Sequence, residues 1–139
     1  QKATELGVTK FIPILTDRTV VRNINKERIN RIIIEASEQS NRTKIPKLEK
    51  LIKLKEFLKI YKNTNIIFGD LNSKDNEINL PNKNPLCVLI GPEGDFSELE
   101  RDQILKLENL KSLKINRNIL RAETAAISII SIINFKLLS

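Results

Sequence analysis

With 139 residues, 40% of them hydrophobic and 29% charged, the chain has the length and balance of one soluble globular domain with a substantial core. One cysteine and no histidine exclude an internal disulfide framework, every histidine-based triad and the commonest metal ligand; no metal is expected, and a cytoplasmic compartment is favoured. Residues 1–60 carry 14 Lys/Arg against 7 Asp/Glu and residues 61–139 carry 10 of each, so the whole net charge of +7 lies in the first 60, pointing to a basic face for a polyanion or to coding bias in a chain rich in Lys, Asn and Ile.

The opening "QKATELGV" reads as the end of a helix capped by Gly7, with no helix start before it and no methionine in the chain, so an upstream region is expected. "FIPIL" (11–15) predicts a short buried strand. A helix follows over "NINKERINRIIIEASEQSNR" (23–42), with Asn25 as N-cap and Ile24 and Ile29 as a hydrophobic staple. Ile29, Ile32, Ile33 and Ala36 form its buried stripe, while Arg28, Arg31, Glu35, Glu38 and Arg42 fall on another face, expected to be solvated and salt-bridged. Pro46 breaks the chain before a strand at Lys47 to Leu51, and Leu54, Phe57, Leu58 and Tyr61 mark a second amphipathic helix.

"NIIFGD" (65–70) predicts a strand ending at Gly69, and residues 70–85 a polar loop with two prolines. "LCVLI" (86–90) is the next strand, with Cys87 read as a small buried hydrophobe in preference to a nucleophile. A helix over 97–109, a strand "LKSLKI" (110–115) and a last helix over 123–138 complete the chain. Alternating helices and continuously apolar strands predict an α/β domain, its mainly parallel sheet covered by helices on both faces. The segment Ala122 to Leu138 is apolar almost all round and must be buried in a core or across a subunit interface. Its Glu123, Ser128, Ser131, Asn134 and Lys136 argue against a membrane anchor.

"LIGPEGDFSELE" (89–100) is a glycine turn between a strand and a helix, where many proteins hold a cofactor. It lacks the G-x-G-x-x-G fingerprint and the Gly-Lys-Ser/Thr of a P-loop. Glu93, Asp95, Glu98 and Glu100 crowd the helix start, and Ser97 with Glu100 forms an S-x-x-E capping box. The turn therefore suits a neutral or cationic ligand, not a phosphate. A second stretch, "INRNILRAETAA" (115–126), sets Asn116 after a strand and Arg121 and Glu123 at the start of the last helix; asparagine is at ease with φ > 0.

Together with "ATELGV" (3–8), "TDRTV" (16–20) and "EASEQSNR" (35–42), these two stretches resemble the bacterial 16S ribosomal RNA uridine-N3 methyltransferases of the SPOUT class, in the right order through nearly the whole chain. The resemblance implies that residues 1–139 are a SPOUT methyltransferase domain with a deep C-terminal trefoil knot, a homodimer, and a PUA-like RNA-binding domain upstream. It implies an S-adenosylmethionine-dependent enzyme acting on N3 of a uridine in 16S ribosomal RNA of the small ribosomal subunit. Carried onto this sequence, the cofactor loops are Gly69, Asp70 and Leu71; Gly91, Pro92, Glu93 and Gly94; and Ile115, Asn116, Ile119, Leu120 and Arg121. The cofactor is a sulfonium without phosphate, compatible with an acidic helix entrance. Two positions depart from the family: Asp95 stands for its second glycine after "GPE", and Ile115-Asn116 for its Leu-Gly. Where the replaced glycines have φ > 0, Asp and Asn are the least costly substitutes.

Methyl transfer to a ring nitrogen is an in-line displacement needing neither metal nor covalent intermediate, and the N3 proton must also leave. Candidate bases are Glu93, Glu123, Asp95 or water, all weak for the task. Arg121 is expected to hold the anionic uracil by its oxygens. Arg18, Arg22, Gln39, Ser40 and Arg42 are the expected RNA contacts, and the last helix with part of the 26–42 helix the expected dimer interface, against burial within one chain. The alternatives are another SPOUT enzyme, acting on a tRNA base or a ribose 2′-hydroxyl, and a non-catalytic assembly factor with a degenerate knot.

Overall fold

A computed structural model describes residues 1–20, 22–80 and 85–138. The chain opens with α1 (Lys2–Glu5), which ends on Gly7 in the left-handed region at φ +94°. Gly7 N–H donates to Thr4 O and Val8 N–H to Ala3 O, the paired bonds of a Schellman cap.

"FIPIL" forms two short pieces, β1 (Lys10–Phe11) and β2 (Ile14–Leu15), because Pro13 between them has no N–H to donate. Their parallel partners are β3 (Lys47–Leu48), at the start of the strand expected over Lys47 to Leu51, and β4 (Ile52–Lys53), just past its end. Lys10 pairs with Lys47 but Ile14 with Ile52, so the connection between β3 and β4 is one residue longer than that between β1 and β2.

Between these pairs, α2 (Lys26–Gln39) begins on Asn25, whose Oδ1 accepts from Arg28 N–H at 3.0 Å. Ile33 and Ala36 are buried, with Ile29 and Ile32 half-buried. The helix stops three residues short of the predicted end. Asn41 turns to φ +54°, and Arg42 N–H donates to Ser37 O, a second Schellman cap built on asparagine. The expected ionic stripe does not form, since none of Arg28, Arg31, Glu35, Glu38 and Arg42 makes an ion pair among the described residues.

After α3 (Leu54–Ile60), the main sheet is built from β5 (Asn65–Gly69), β6 (Leu86–Leu89) and β7 (Leu110–Leu113), in the order β6-β5-β7 and parallel throughout. On one face Ile66, Phe68 and Leu89 pack with Phe57 of α3, Phe96, and Ile104 of α4 (Glu98–Leu105). On the other, Ile67 and Leu113 meet Ile129 and Ile133 of α5 (Ala122–Leu138) and Ile78 of the loop after β5. Burial on both faces is why the strands read as continuous apolar runs. Residues 81–84 of the predicted 70–85 loop, including its first proline, lie outside the described residues.

Only Ile129 and Ile133 of α5 are buried, while Ile132, Phe135 and Leu138 are 38%, 73% and 88% exposed. This overturns burial of that helix wholly within one chain. Among the described residues no helix is long and apolar enough to cross a membrane.

Candidate functional site

Three parallel strands end side by side, with Phe68 paired to Leu89 and Gly69 to Leu113. The loops after β5, β6 and β7, the three singled out from the sequence, therefore leave the same edge of the sheet. That edge is where open α/β sheets hold ligands. A Cβ at Gly69 would lie 2.9 Å from Ile129 Cδ1 and 3.2 Å from Ile90 Cδ1, so glycine lets α5 close onto the sheet directly below the loops. Asp70 N–H donates to Leu113 O at 2.9 Å, tying the first loop to the end of β7.

The Asp70 side chain does not face a ligand. It is buried and held bidentately by Arg101 of α4, with Nη2 donating to Oδ2 at 2.6 Å and Nη1 to Oδ1, while Asn72 N–H donates to Oδ1 at 3.0 Å. A carboxylate this buried must be paired, and Arg101 pairs it in fork geometry. The hydrogen bond that Arg101 donates to Asp70 holds the guanidinium above its ordinary pKa, and the Phe68 ring lies beneath it with its centroid 6.0 Å away. Asp70 thus offers a ligand no free carboxylate, and its carbonyl already accepts from Ser73 N–H at 3.2 Å, while Leu71 beside it is exposed. Arg101 escaped the sequence reading. Its signal was a cation in the first turns of a helix whose start otherwise gathers carboxylates, against the dipole preference.

In the second loop Asp95 adopts φ +62°, the conformation for which Asp is a tolerable glycine substitute. Its N–H donates to Pro92 O at 2.9 Å and its Oδ1 accepts from Phe96 N–H at 2.8 Å, closing a tight turn. A Cβ on Gly91 would approach the Phe96 ring to 3.1 Å and Asp95 Oδ1 to 3.2 Å. Phe96, in turn, packs edge-on against Phe68 at 5.6 Å between centroids. The capping box forms as read: Ser97 Oγ accepts from Glu100 N–H at 3.3 Å and Glu100 Oε1 from Ser97 N–H at 3.0 Å. Glu93 and Gly94 are exposed, and Gly91 and Pro92 are half-buried.

In the third loop Asn116 does not use φ > 0; among the described non-glycine residues that conformation belongs to Asn41 and Asp95. Asn116 instead makes an Asx turn, its Oδ1 accepting from Asn118 N–H at 3.0 Å. Ile115 packs on the α5 side of the core, Leu120 is half-buried, and Ile119 is 84% exposed. Arg121 O accepts from Ala125 N–H at 2.9 Å as α5 begins. Arg121, Glu93 and Glu123 are all exposed, and among the described residues none of their side chains makes a hydrogen bond or ion pair. They are available to a substrate but not assembled with one another. A cavity of about 560 Å³ lies on the α5 side, between Asn76–Asn79, Leu113–Ile115, Ile132 and Lys136; of the predicted cofactor residues it includes Ile115, and the 91–94 turn lies outside it.

The expected RNA residues divide. Arg22 and Gln39 are exposed, as are Lys26, Arg28 and Arg31. Arg42 is turned inward, its Nη1 donating to Thr4 O at 2.8 Å and Val8 O at 2.7 Å, and Ser40 Oγ donates to Ala36 O at 2.7 Å. Arg42 thus serves the junction of α1 and α2, and Ser40 bonds back onto the last turn of α2, because the helix ends before it can carry them to its outer face. Arg18 is exposed but bonded to the second loop, its Nη1 donating to Gly94 O at 3.0 Å. Among the described residues no group of three or more His, Cys, Asp or Glu is placed to hold a metal ion.

A family profile described as an RNA methyltransferase domain matches residues 1–134. Ribosomal RNA small subunit methyltransferase E of Rickettsia conorii is 38% identical over 134 residues, covering 93% of this chain and 54% of its own length. The Aquifex aeolicus protein of the same name is 37% identical over 139 residues, covering 96% of this chain and 59% of its own length. The chain thus spans a little over half the length of these relatives. Among solved structures, ribosomal RNA small subunit methyltransferase E from Neisseria gonorrhoeae bound to S-adenosyl methionine superposes with a TM-score of 0.87 at 29% identity, over 97% of this chain and 58% of that one. A methyltransferase from Legionella pneumophila in complex with the same cofactor gives 0.83 at 33% identity, over 98% and 59%.

Proposed function

Since the chain belongs to the RNA methyltransferase domain family, we propose that it binds S-adenosylmethionine across the carboxyl ends of β6, β5 and β7 and, within a protein of its relatives' length, methylates N3 of a uridine in 16S ribosomal RNA. One observation carries the reading: the three loops picked out from the sequence leave one sheet edge in register. The residues present fit this cofactor. The amides at the start of α4 are engaged by its own capping box, which disfavours a phosphate, and the exposed carboxylates of Glu93 and Asp95 favour a cation.

S-adenosylmethionine, when bound, supplies an electrophilic methyl group on a sulfonium. The chain's own part is positioning, for which well-oriented reactions gain roughly 7–11 kcal/mol. Backbone of the 69–71, 91–94 and 115–121 loops encloses the cofactor. Arg121 donates to the uracil oxygens and stabilises the anion left when the N3 proton departs to Glu93, Glu123, Asp95 or water.

A knotted path for the C-terminal half is part of this proposal. It is supported by the loop after β5, which lies against β7: Lys114 N–H donates to Asp75 O at 2.8 Å, Ser73 Oγ to Ser112 O at 3.2 Å, and Lys111 pairs with Asp75 at 3.4 Å. The exposed apolar face of α5 supports a homodimer, and the exposed cations of the first 60 residues support contact with ribosomal RNA of the small subunit in the cytoplasm.

The test is calorimetric titration of this chain with S-adenosylmethionine and S-adenosylhomocysteine, each expected to bind at one site per chain. In a full-length protein assayed on small ribosomal subunits, Arg121→Ala is expected to keep cofactor affinity and lose about 10²–10³-fold in turnover. Normal turnover in that variant would remove Arg121 from the mechanism. Absence of cofactor binding by the folded chain would instead favour an assembly factor.

A further inference from the structure

The turn at residues 16–19 touches the second cofactor loop although some eighty residues separate them in sequence. Inside the turn, Thr16 N–H donates to Thr19 Oγ1 at 3.1 Å and the two hydroxyls lie 2.7 Å apart, which makes it a rigid unit. It meets the 94–100 segment at three places. Arg18 Nη1 donates to Gly94 O at 3.0 Å, Ser97 Oγ donates to Asp17 Oδ2 at 2.8 Å, and Asp17 N–H donates to Glu100 Oε2 at 3.2 Å. Glu100 is 7% exposed, so its carboxylate joins the α4 cap to this turn from inside the protein. Gly94 gives the contact its closeness, because a Cβ there would stand 3.2 Å from Arg18 Cβ. Gly94 does not have φ > 0, so glycine is kept here for room and not for conformation.

We propose that the 16–19 turn is a strut that positions the 91–97 loop for cofactor binding, with Arg18 as the positioning residue acting on the Gly94 carbonyl. The loop itself is held on the sheet side by Phe96 and on the helix side by the capping box. Gly91 also lies close to the Phe96 ring, while Gly94 is exposed, and there Arg18 supplies the contact. Arg18 was expected to bind RNA; in this arrangement it acts first on the cofactor loop. The proposal rests on the cofactor reading above.

Arg18→Ala, Gly94→Ala and the double variant of this chain would be titrated with S-adenosylmethionine and S-adenosylhomocysteine, with unfolding temperature and amide exchange of Asp95, Phe96 and Ser97 followed in parallel. Each single substitution is expected to weaken binding about tenfold. The double variant should bind at least as weakly as the weaker-binding single, since Gly94→Ala crowds a Cβ that residue 18 keeps in Arg18→Ala. Unfolding temperatures should stay within about 2 °C, which separates positioning from general destabilisation. Arg18→Ala binding both ligands as tightly as the native chain would overturn the proposal. If the native chain binds neither ligand, the cofactor reading fails, and amide exchange decides the strut by itself: faster exchange in Arg18→Ala supports it and unchanged exchange overturns it.

Discussion

Cys87 illustrates how one side chain is governed by its place on the sheet. It stands on β6 against the core shared with α3 and α4, its Sγ 3.8 Å from Val88 O, and burial pushes the thiol up to about 11 from 9.0. The unfolded chain therefore releases this proton first, and the contribution of Cys87 to stability is full below pH 9 and lost as pH rises towards about 11. Urea midpoints measured from pH 8 to 11 should fall more steeply for the native chain than for Cys87→Ala; parallel slopes would show that the thiol is not desolvated. Reading the cysteine as a core residue needed only its apolar neighbours in sequence. Asp70 is the opposite case, a position legible as part of the first loop whose side chain is claimed by Arg101 from another element.

The start of α4 was legible to the atom pair, because a capping box closes within four residues and needs nothing beyond them. The structure adds a second duty, since Ser97 Oγ also donates to Asp17. Ser97→Ala is accordingly expected to lower stability by about 1–2 kcal/mol in chemical denaturation, with Ser97→Thr recovering most of it. A loss of only a few tenths would mean that the cap bonds contribute no more than solvent would. The end of α2 was less legible, because an asparagine in the left-handed region gives no warning in a run of polar residues, and Arg42 was assigned to an outer face that the helix never extends. The break at Pro13 in the first strand is legible in the sequence, since the missing N–H is a property of the residue alone.

Across the whole molecule, assembly turns on the outer face of α5. Ile132 flanks the side of α5 that holds Ile129 and Ile133 in the core, and Leu138 lies on the far side; both are exposed. A second copy of the chain is the proposed cover. Ile132→Asp is expected to convert a dimer to a monomer in light scattering, with helix content retained because Ile132 lies outside the buried cluster. A native chain that is monomeric at high micromolar concentration would refute the proposed dimer.

What the sequence determined by itself was every feature whose hydrogen bonds or apolar spacing close within a few residues. The parallel α/β plan, the Asn25 and Ser97 caps, the three loops and the likeness to a methyltransferase family all follow from such local patterns. Only the tertiary structure decided which charges are spent internally. Arg101 with Asp70, Asp17 with Glu100, and Arg42 with the Thr4 and Val8 carbonyls join residues 31 to 83 positions apart. Such pairs depend on strand register and on where helices end. A desolvated charge takes whichever partner the fold brings within reach, and no local pattern encodes that distance.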